Sequence, residues 1–229
     1  MVSEKIKEFA RNLGADLIGI GDAKRMDEAP PGHKPTDYLP DAKSIIVVVV
    51  RINYSAVEGL PITRNEYVNA GDAAGVKINN IIFELARKLE EEGFSAIPFF
   101  GGEDSKTIMG DLSLKHAAVA AGLGEFGLNN LFLAPKCGPR VIIAAIITNA
   151  EIKPNKPFQG QLCDLCEDCL KICPSGALKN PQGYDRTKGW TIDKHKCNHY
   201  INEILKPIYG HFSCGMCIMA CHVGRLQNK

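Results

Sequence analysis

Cysteines at 163, 166, 169 and 173, followed directly by Pro174, constrain this 229-residue chain more than any other feature. The spacing C-x2-C-x2-C-x3-C-P suits an iron–sulfur cluster. Three closely spaced thiolates wrap one face of a cubane, and the fourth lies too far along to join them. That fourth cysteine therefore needs a second cluster, and a second group must supply the reciprocal ligands. Cys197, Cys214, Cys217 and Cys221 are that group. The crossed assignment gives Cys163, Cys166, Cys169 and Cys221 to one [4Fe–4S] cluster; Cys173, Cys197, Cys214 and Cys217 hold the other. Zinc ribbons use C-x2-C pairs with a longer spacer between them, not four cysteines in eleven residues. The second group lacks the proline and has His222 in its place, which leaves the ligand set intact.

The first run is that of bacterial ferredoxins, so residues 151–229 read as a small ferredoxin-like double-cluster domain held by metal more than by a hydrophobic core. Residues 1–150 alternate helical and strand patterns. Ile6, Phe9, Ala10 and Leu13 make one helical face, with Gly14 at its end. Ile78, Ile81, Ile82, Leu85 and Leu89 make another. The runs 44–52 and 140–148 are too continuously apolar for one-sided strands and are expected to be buried on both faces. Shorter strands are expected at 16–20 and 95–100, and a small-residue helix at 112–121. The fold class is α/β (α+β) with a central sheet. Two prolines and a terminal glycine mark 149–160 as a connector.

Charge excludes little. There are 27 Lys and Arg against 26 Asp and Glu, and the longest apolar runs fall far short of a spanning helix. The N-terminus has no apolar export core, and nine cysteines in a reducing compartment stay unpaired, so the expected setting is cytoplasmic with no membrane partner. Residues 151–229 hold 11 basic and 7 acidic residues, a formal +4, which two oxidised thiolate clusters would bring to about zero. The expectation is that tRNA is not a partner.

The stretch 122–127, GLGEFG, satisfies G-x-G-x-x-G, but a helical pattern precedes it and an extended one follows. A dinucleotide fingerprint needs the opposite order, so the bland reading is a helix cap and tight turn.

Residues 121–148 (AGLGEFGLNNLFLAPKCGPRVIIAAIIT), followed by the double cysteine motif, resemble the cobalamin-binding core of epoxyqueuosine reductases and reductive dehalogenases. Residues 38–54 resemble the early strand of the former, and the GLGE and GPR elements lean towards the latter. The resemblance implies a nitroreductase-like corrinoid-binding domain over 1–150, shortened relative to both groups. The glycine loop would approach the corrinoid through Gly122, Leu123, Gly124, Glu125, Gly127 and Asn129. The motif D-x-H-x-x-G that supplies a histidine to cobalt is absent, which implies a base-off cobalamin. Reduction also needs an acid. The resemblance points to Asp111, otherwise a helix N-cap, and to Tyr54 or Tyr67. Glu125 and His116 are further candidates whose bland roles are a structural carboxylate and a packing histidine. Cys137 reads as a free thiol.

The implied function is a corrinoid-dependent iron–sulfur reductase, fed by a low-potential donor such as ferredoxin or flavodoxin and acting on an unidentified substrate of small-molecule size. The alternatives are a non-catalytic electron carrier or activator of a corrinoid partner, and a cavity that holds flavin or nothing. Oligomeric state is not readable from the sequence.

Overall fold

The β-branched run 44–51 forms a strand buried along seven of its eight residues, and the first part of the molecule is built around it. This is a computed structural model, and it describes residues 3–27, 29–102, 104, 106–210 and 213–226. In chain order the strands are β1 (Leu17–Asp22), β2 (Ser44–Arg51), β3 (Ala96–Phe99), β4 (Glu125–Phe126), β5 (Phe132–Leu133) and β6 (Val141–Thr148). The chain divides into two units. One comprises Met1–Val50, Ala74–Gly124 and Ile142–Gly160; the other comprises Arg51–Ala73, Glu125–Val141 and Gln161–Lys229. The cysteine-bearing unit thus includes two segments that precede the cysteine motif.

The first unit holds a four-stranded sheet in the order β1-β2-β6-β3. β1 runs antiparallel to β2, with Ile20 opposite Ile46, and β3 antiparallel to β6, with Ile97 opposite Ile147. Ile45 to Val49 and Ala144 to Ile147 are fully buried, as two-faced burial requires. Ile78, Ile81, Ile82, Leu85 and Leu89 line one stripe of the long helix Arg64–Glu91 and are all at most 1% exposed. The helix Ser3–Asn12 buries Ile6 and Ala10 and ends at Gly14, whose φ of +99° only glycine adopts freely.

Segment 149–160 does not behave as a loose connector. The Ser44 hydroxyl donates to the Ala150 carbonyl and accepts from the Ile152 amide. The Asn155 amide donates to Ile20 O, and Asn155 Oδ1 accepts from the Ile20 amide. Its polar residues are spent on pinning an extended strip beside β1, so composition misleads here.

The second unit has little regular structure. β4 and β5 make a two-stranded hairpin, with Phe126 opposite Phe132. Its short helices include Asp168–Lys171 and Met216–Ala220, each too short to persist unaided. Its buried centre comprises Leu128, Leu133, Cys163, Cys169, Leu178 and Val223. Cysteines belong to the core itself.

Candidate metal centre

The first cysteine set surrounds an open cavity of about 310 Å³, lined by Cys163, Cys166, Cys169 and Cys221 among others. Local backbone geometry turns three of these side chains to one point. Leu165 and Glu167, the residues that flank Cys166, both sit at φ +63°, in the left-handed region that non-glycine residues rarely enter. The fourth ligand arrives from the far end of the chain. Gly138, at φ +56°, has no room for a Cβ because the Val223 carbonyl occupies it, and a Cβ on Gly224 would meet the backbone of Cys137 and Gly138. Two glycines thus seat the stretch after Cys221 against residues 137–138.

Burial pushes the Cys169 thiol up to about 12, reinforced by the thiolates of Cys163, Cys221 and Cys166. Burial likewise raises the thiols of Cys166 and Cys221, and thiols gathered in this way call for a cation to share. The donor set and the cavity fit an iron–sulfur cluster. The Leu128 amide donates to Cys163 Sγ at 3.4 Å. Cys166 is exposed, and its Sγ lies 3.9 Å from His222 Nδ1, while His222 Nε2 lies 3.5 Å from Asp164 Oδ2. The residue that replaces the expected proline therefore stands at the rim of this set.

The second set comes together around Cys217. Burial raises its thiol first, followed by the thiolates of Cys214, Cys197, Cys169 and Cys173. Cys169 belongs to the first set, so the two centres are neighbours. At Cys173 burial would raise the thiol, but hydrogen bonds from Ser175, Leu178 and Ala177 outweigh it and hold the pKa below the usual value. Such bonds to sulfur favour the charged form and, in a bound cluster, favour reduction.

Glu125 serves this framework. Its carboxylate oxygen accepts from the Leu162 and Cys163 amides, both at 2.9 Å, and from Arg186 Nη1 at 2.7 Å. With its side chain 4% exposed, it fixes the entry to the cysteine loop. Glu125→Ala leaves two amides and a guanidinium unpartnered, so it should cost about 2–3 kcal/mol. Urea unfolding and retained iron should fall together.

The other nominated residues separate. Asn129 donates to Cys217 O at 3.4 Å and accepts from the Leu131 amide, so it too braces the cluster loops. At Gly127 a Cβ would meet Asn129 Oδ1 and Leu133. Tyr67 is 6% exposed beside Gly215; burial raises its hydroxyl pKa, opposed by a hydrogen bond with Ser213. Tyr54 stacks under the Arg51 guanidinium at 4.4 Å and donates to Lys136 O; burial and then Cys137 raise its pKa.

In the first unit, a Cβ on Gly122 would meet the Lys156 carbonyl, Leu123 covers Gly19, and Gly124 is buried. At both Gly122 and Gly127 the space that a Cβ would take is filled by the chain's own atoms. Asp111 is exposed, and its carbonyl accepts from the Tyr38 hydroxyl at 2.8 Å. The N-cap of the following helix Leu114–Ala120 is Ser113, not Asp111. His116 Nδ1 lies 2.7 Å from Ser113 Oγ, a local contact at the start of that helix.

Three functional residues escaped the sequence reading. Arg64 and Arg186 are solitary arginines that no local pattern marks, whereas Arg140 stands in the GPR element at 138–140 but was not nominated as a site residue.

Residues 162–225 match the family model of the 4Fe-4S dicluster domain. The chain is 28% identical to a tetrachloroethene reductive dehalogenase of Dehalobacter restrictus, over 98% of this chain and 48% of that protein. It is 26% identical to an epoxyqueuosine reductase of Bacillus subtilis, over 98% of this chain and 64% of that protein. Thus the chain spans about half to two thirds of the length of these relatives, which are reductases. Among solved structures, a reductive dehalogenase described for B12-dependent dehalogenation superposes with a TM-score of 0.71 at 22% identity, covering 97% of this chain and 32% of that one. An epoxyqueuosine reductase solved with a tRNA stem loop gives 0.60 at 18% identity, covering 96% and 64%. The fold is therefore the mixed α/β fold of these reductases with a ferredoxin-like cluster domain. The expectation against tRNA is not borne out, since one protein of this fold was solved with it. No helix among the described residues is long and apolar enough to cross a membrane.

Proposed function

We propose that this chain is an iron–sulfur reductase in which two [4Fe–4S] clusters pass electrons to a base-off cobalamin that reduces the substrate. What supports the reading is the gathering of Cys163, Cys166, Cys169 and Cys221 around one cavity, with Cys173, Cys197 and Cys214 close about Cys217, consistent with two crossed sets. Similarity to reductases along nearly the whole chain supports catalysis over simple electron carriage. Residues 151–229 supply the cluster ligands, and residues 1–150 supply the corrinoid-binding core. The exposed rim at Cys166 supports electron entry there from a low-potential donor of the ferredoxin or flavodoxin class. Ligand thiols that must stay reduced fit a cytoplasmic setting. The relatives point to two substrate classes, a halogenated compound and an epoxide carried on tRNA.

Glu125 and Tyr67 are committed to the framework and His116 is held by Ser113 at 2.7 Å, which leaves Asp111 and Tyr54 as the proton donors to test first. Asp111→Asn and Tyr54→Phe should keep both clusters, and the true donor's variant should lose about 100-fold or more in turnover on the accepted substrate.

Anaerobic reconstitution with iron and sulfide should load about eight irons per chain. The reconstituted protein should then bind hydroxocobalamin, seen as corrinoid bands that survive gel filtration. Zinc in place of iron would remove the whole reading. Full iron loading without corrinoid retention would leave an electron carrier.

A further inference from the structure

We propose that Arg64 and Arg140 are positioning residues, one for each cluster, that clamp one ligand of each set within the C-terminal stretch and raise that cluster's reduction potential. The inference rests on the two-cluster reading above and adds residues outside the cysteine motifs. Cys214 and Cys221 come from the same short stretch yet serve different sets, so each needs its own anchor. Arg64 Nη1 donates to the carbonyls of Ser213 at 2.9 Å and of Cys214 itself at 2.7 Å. Arg140 Nη2 donates to the Cys221 carbonyl at 2.8 Å and to Met219 O at 3.5 Å, while its Nη1 reaches Val223 O at 3.0 Å. The two side chains make the same contact on two different ligands.

Both arginines are buried, at 4% and 0% exposure, and the Nε of each is buried without a hydrogen-bond partner. Among the described residues neither guanidinium forms an ion pair; Glu58 acts on Arg140 only from beyond that range. Carbonyls accept from the Nη atoms but do not neutralise the charge, and a buried unpaired cation is costly. An oxidised cubane with four thiolates carries about two negative charges, which is the missing counter-charge. Arg64 favours the Cys214 thiolate, by charge and by a hydrogen bond, and Arg140 favours that of Cys221. Each arginine thus acts on one set. Reduction adds one electron to an already anionic centre, with no bond made or broken, and a nearby buried cation stabilises the product. The sign is therefore upward for the potential.

The test uses the full reconstituted chain and the variants Arg64→Gln, Arg64→Lys, Arg140→Gln and Arg140→Lys, titrated with dithionite and followed by electron paramagnetic resonance. Glutamine keeps a donor and drops the charge, whereas lysine keeps the charge. Each glutamine variant should lower one midpoint by about a tenfold change in its reduction equilibrium, ~59 mV for one electron, and the two arginines should move different signals. Lysine should restore most of the shift. If a glutamine variant instead loses one cluster, about four irons per chain, and lysine retains it, the proposal also stands. Midpoints unchanged from the wild type, or both signals moved alike by either arginine, would overturn it. So would lysine and glutamine variants that lose all iron equally. A wild-type chain that holds no clusters would instead count against the function proposed above.

Discussion

Cys221→Ala and Cys163→Ala should damage the same cluster, although 58 positions separate them in the chain. Cys173→Ala, only ten positions from Cys163, should damage the other. The reason lies in which thiolates share space. Cys163, Cys221 and Cys166 act on Cys169, and Cys173 is not among the main influences there. Cys173 appears instead around Cys217, with Cys214 and Cys197. Each single variant should take iron from about eight towards about four per chain, or leave a three-iron remnant with its own resonance signal. The informative readout is which signal survives. Under the crossed arrangement, the alanine variants at 163 and 221 leave one signal, and those at 173 and 214 leave the other. If 163 and 173 instead removed the same signal, each motif would hold its own cluster and the ligand assignment would fall.

The cysteine motif was legible because its spacing is a local constraint, and residues 162–225 match the 4Fe-4S dicluster domain. Spacings of three and four residues decide which sulfurs can reach one centre, whatever the rest of the chain does. The buried strands were legible for a similar reason, since six β-branched residues in a row, Ile45 to Val50, leave β2 no exposed face there. Failures occurred where a residue's partner lies far away. For Glu125 the sequence left acid and structural carboxylate both open, because its partners are amides 37 and 38 positions on and Arg186. Arg64 binds carbonyls about 150 positions away. Segment 149–160 has the composition of a connector, and only the bonds to Ile20 and Ser44 reveal it as part of the first unit. Composition reports what a residue can do, while the partner decides what it does.

Stripping the iron should unfold the second unit and spare the first. In the second unit, two of the six residues at the buried centre are cysteines. Its helices at Asp168–Lys171 and Met216–Ala220 have four and five residues, below the length at which an isolated helix persists. Leu165 and Glu167 hold left-handed conformations that cost about 1–2 kcal/mol each, which cluster binding would offset. Metal-binding energy is then folding energy, on the order of 10 kcal/mol for comparable closed thiolate sites. The first unit has an apolar core of its own, with Ile45 to Val49, Ile78, Ile82 and Ile146 all buried. After anaerobic chelation, hydrogen exchange should lose protection across 161–210 and 213–226, while 45–49 and 144–147 exchange as slowly as before. Arg64 and Arg140 sharpen the expectation. Without the anionic clusters, the two buried guanidiniums have carbonyls and, for Arg64, the Tyr209 ring at 5.3 Å, but no ion pair among the described residues, so the unloaded unit carries an electrostatic penalty as well as a missing core. Retained protection across the cysteine loops after complete iron loss would show that the protein scaffold forms the sites in advance, and metal would then be a passenger in this unit's stability.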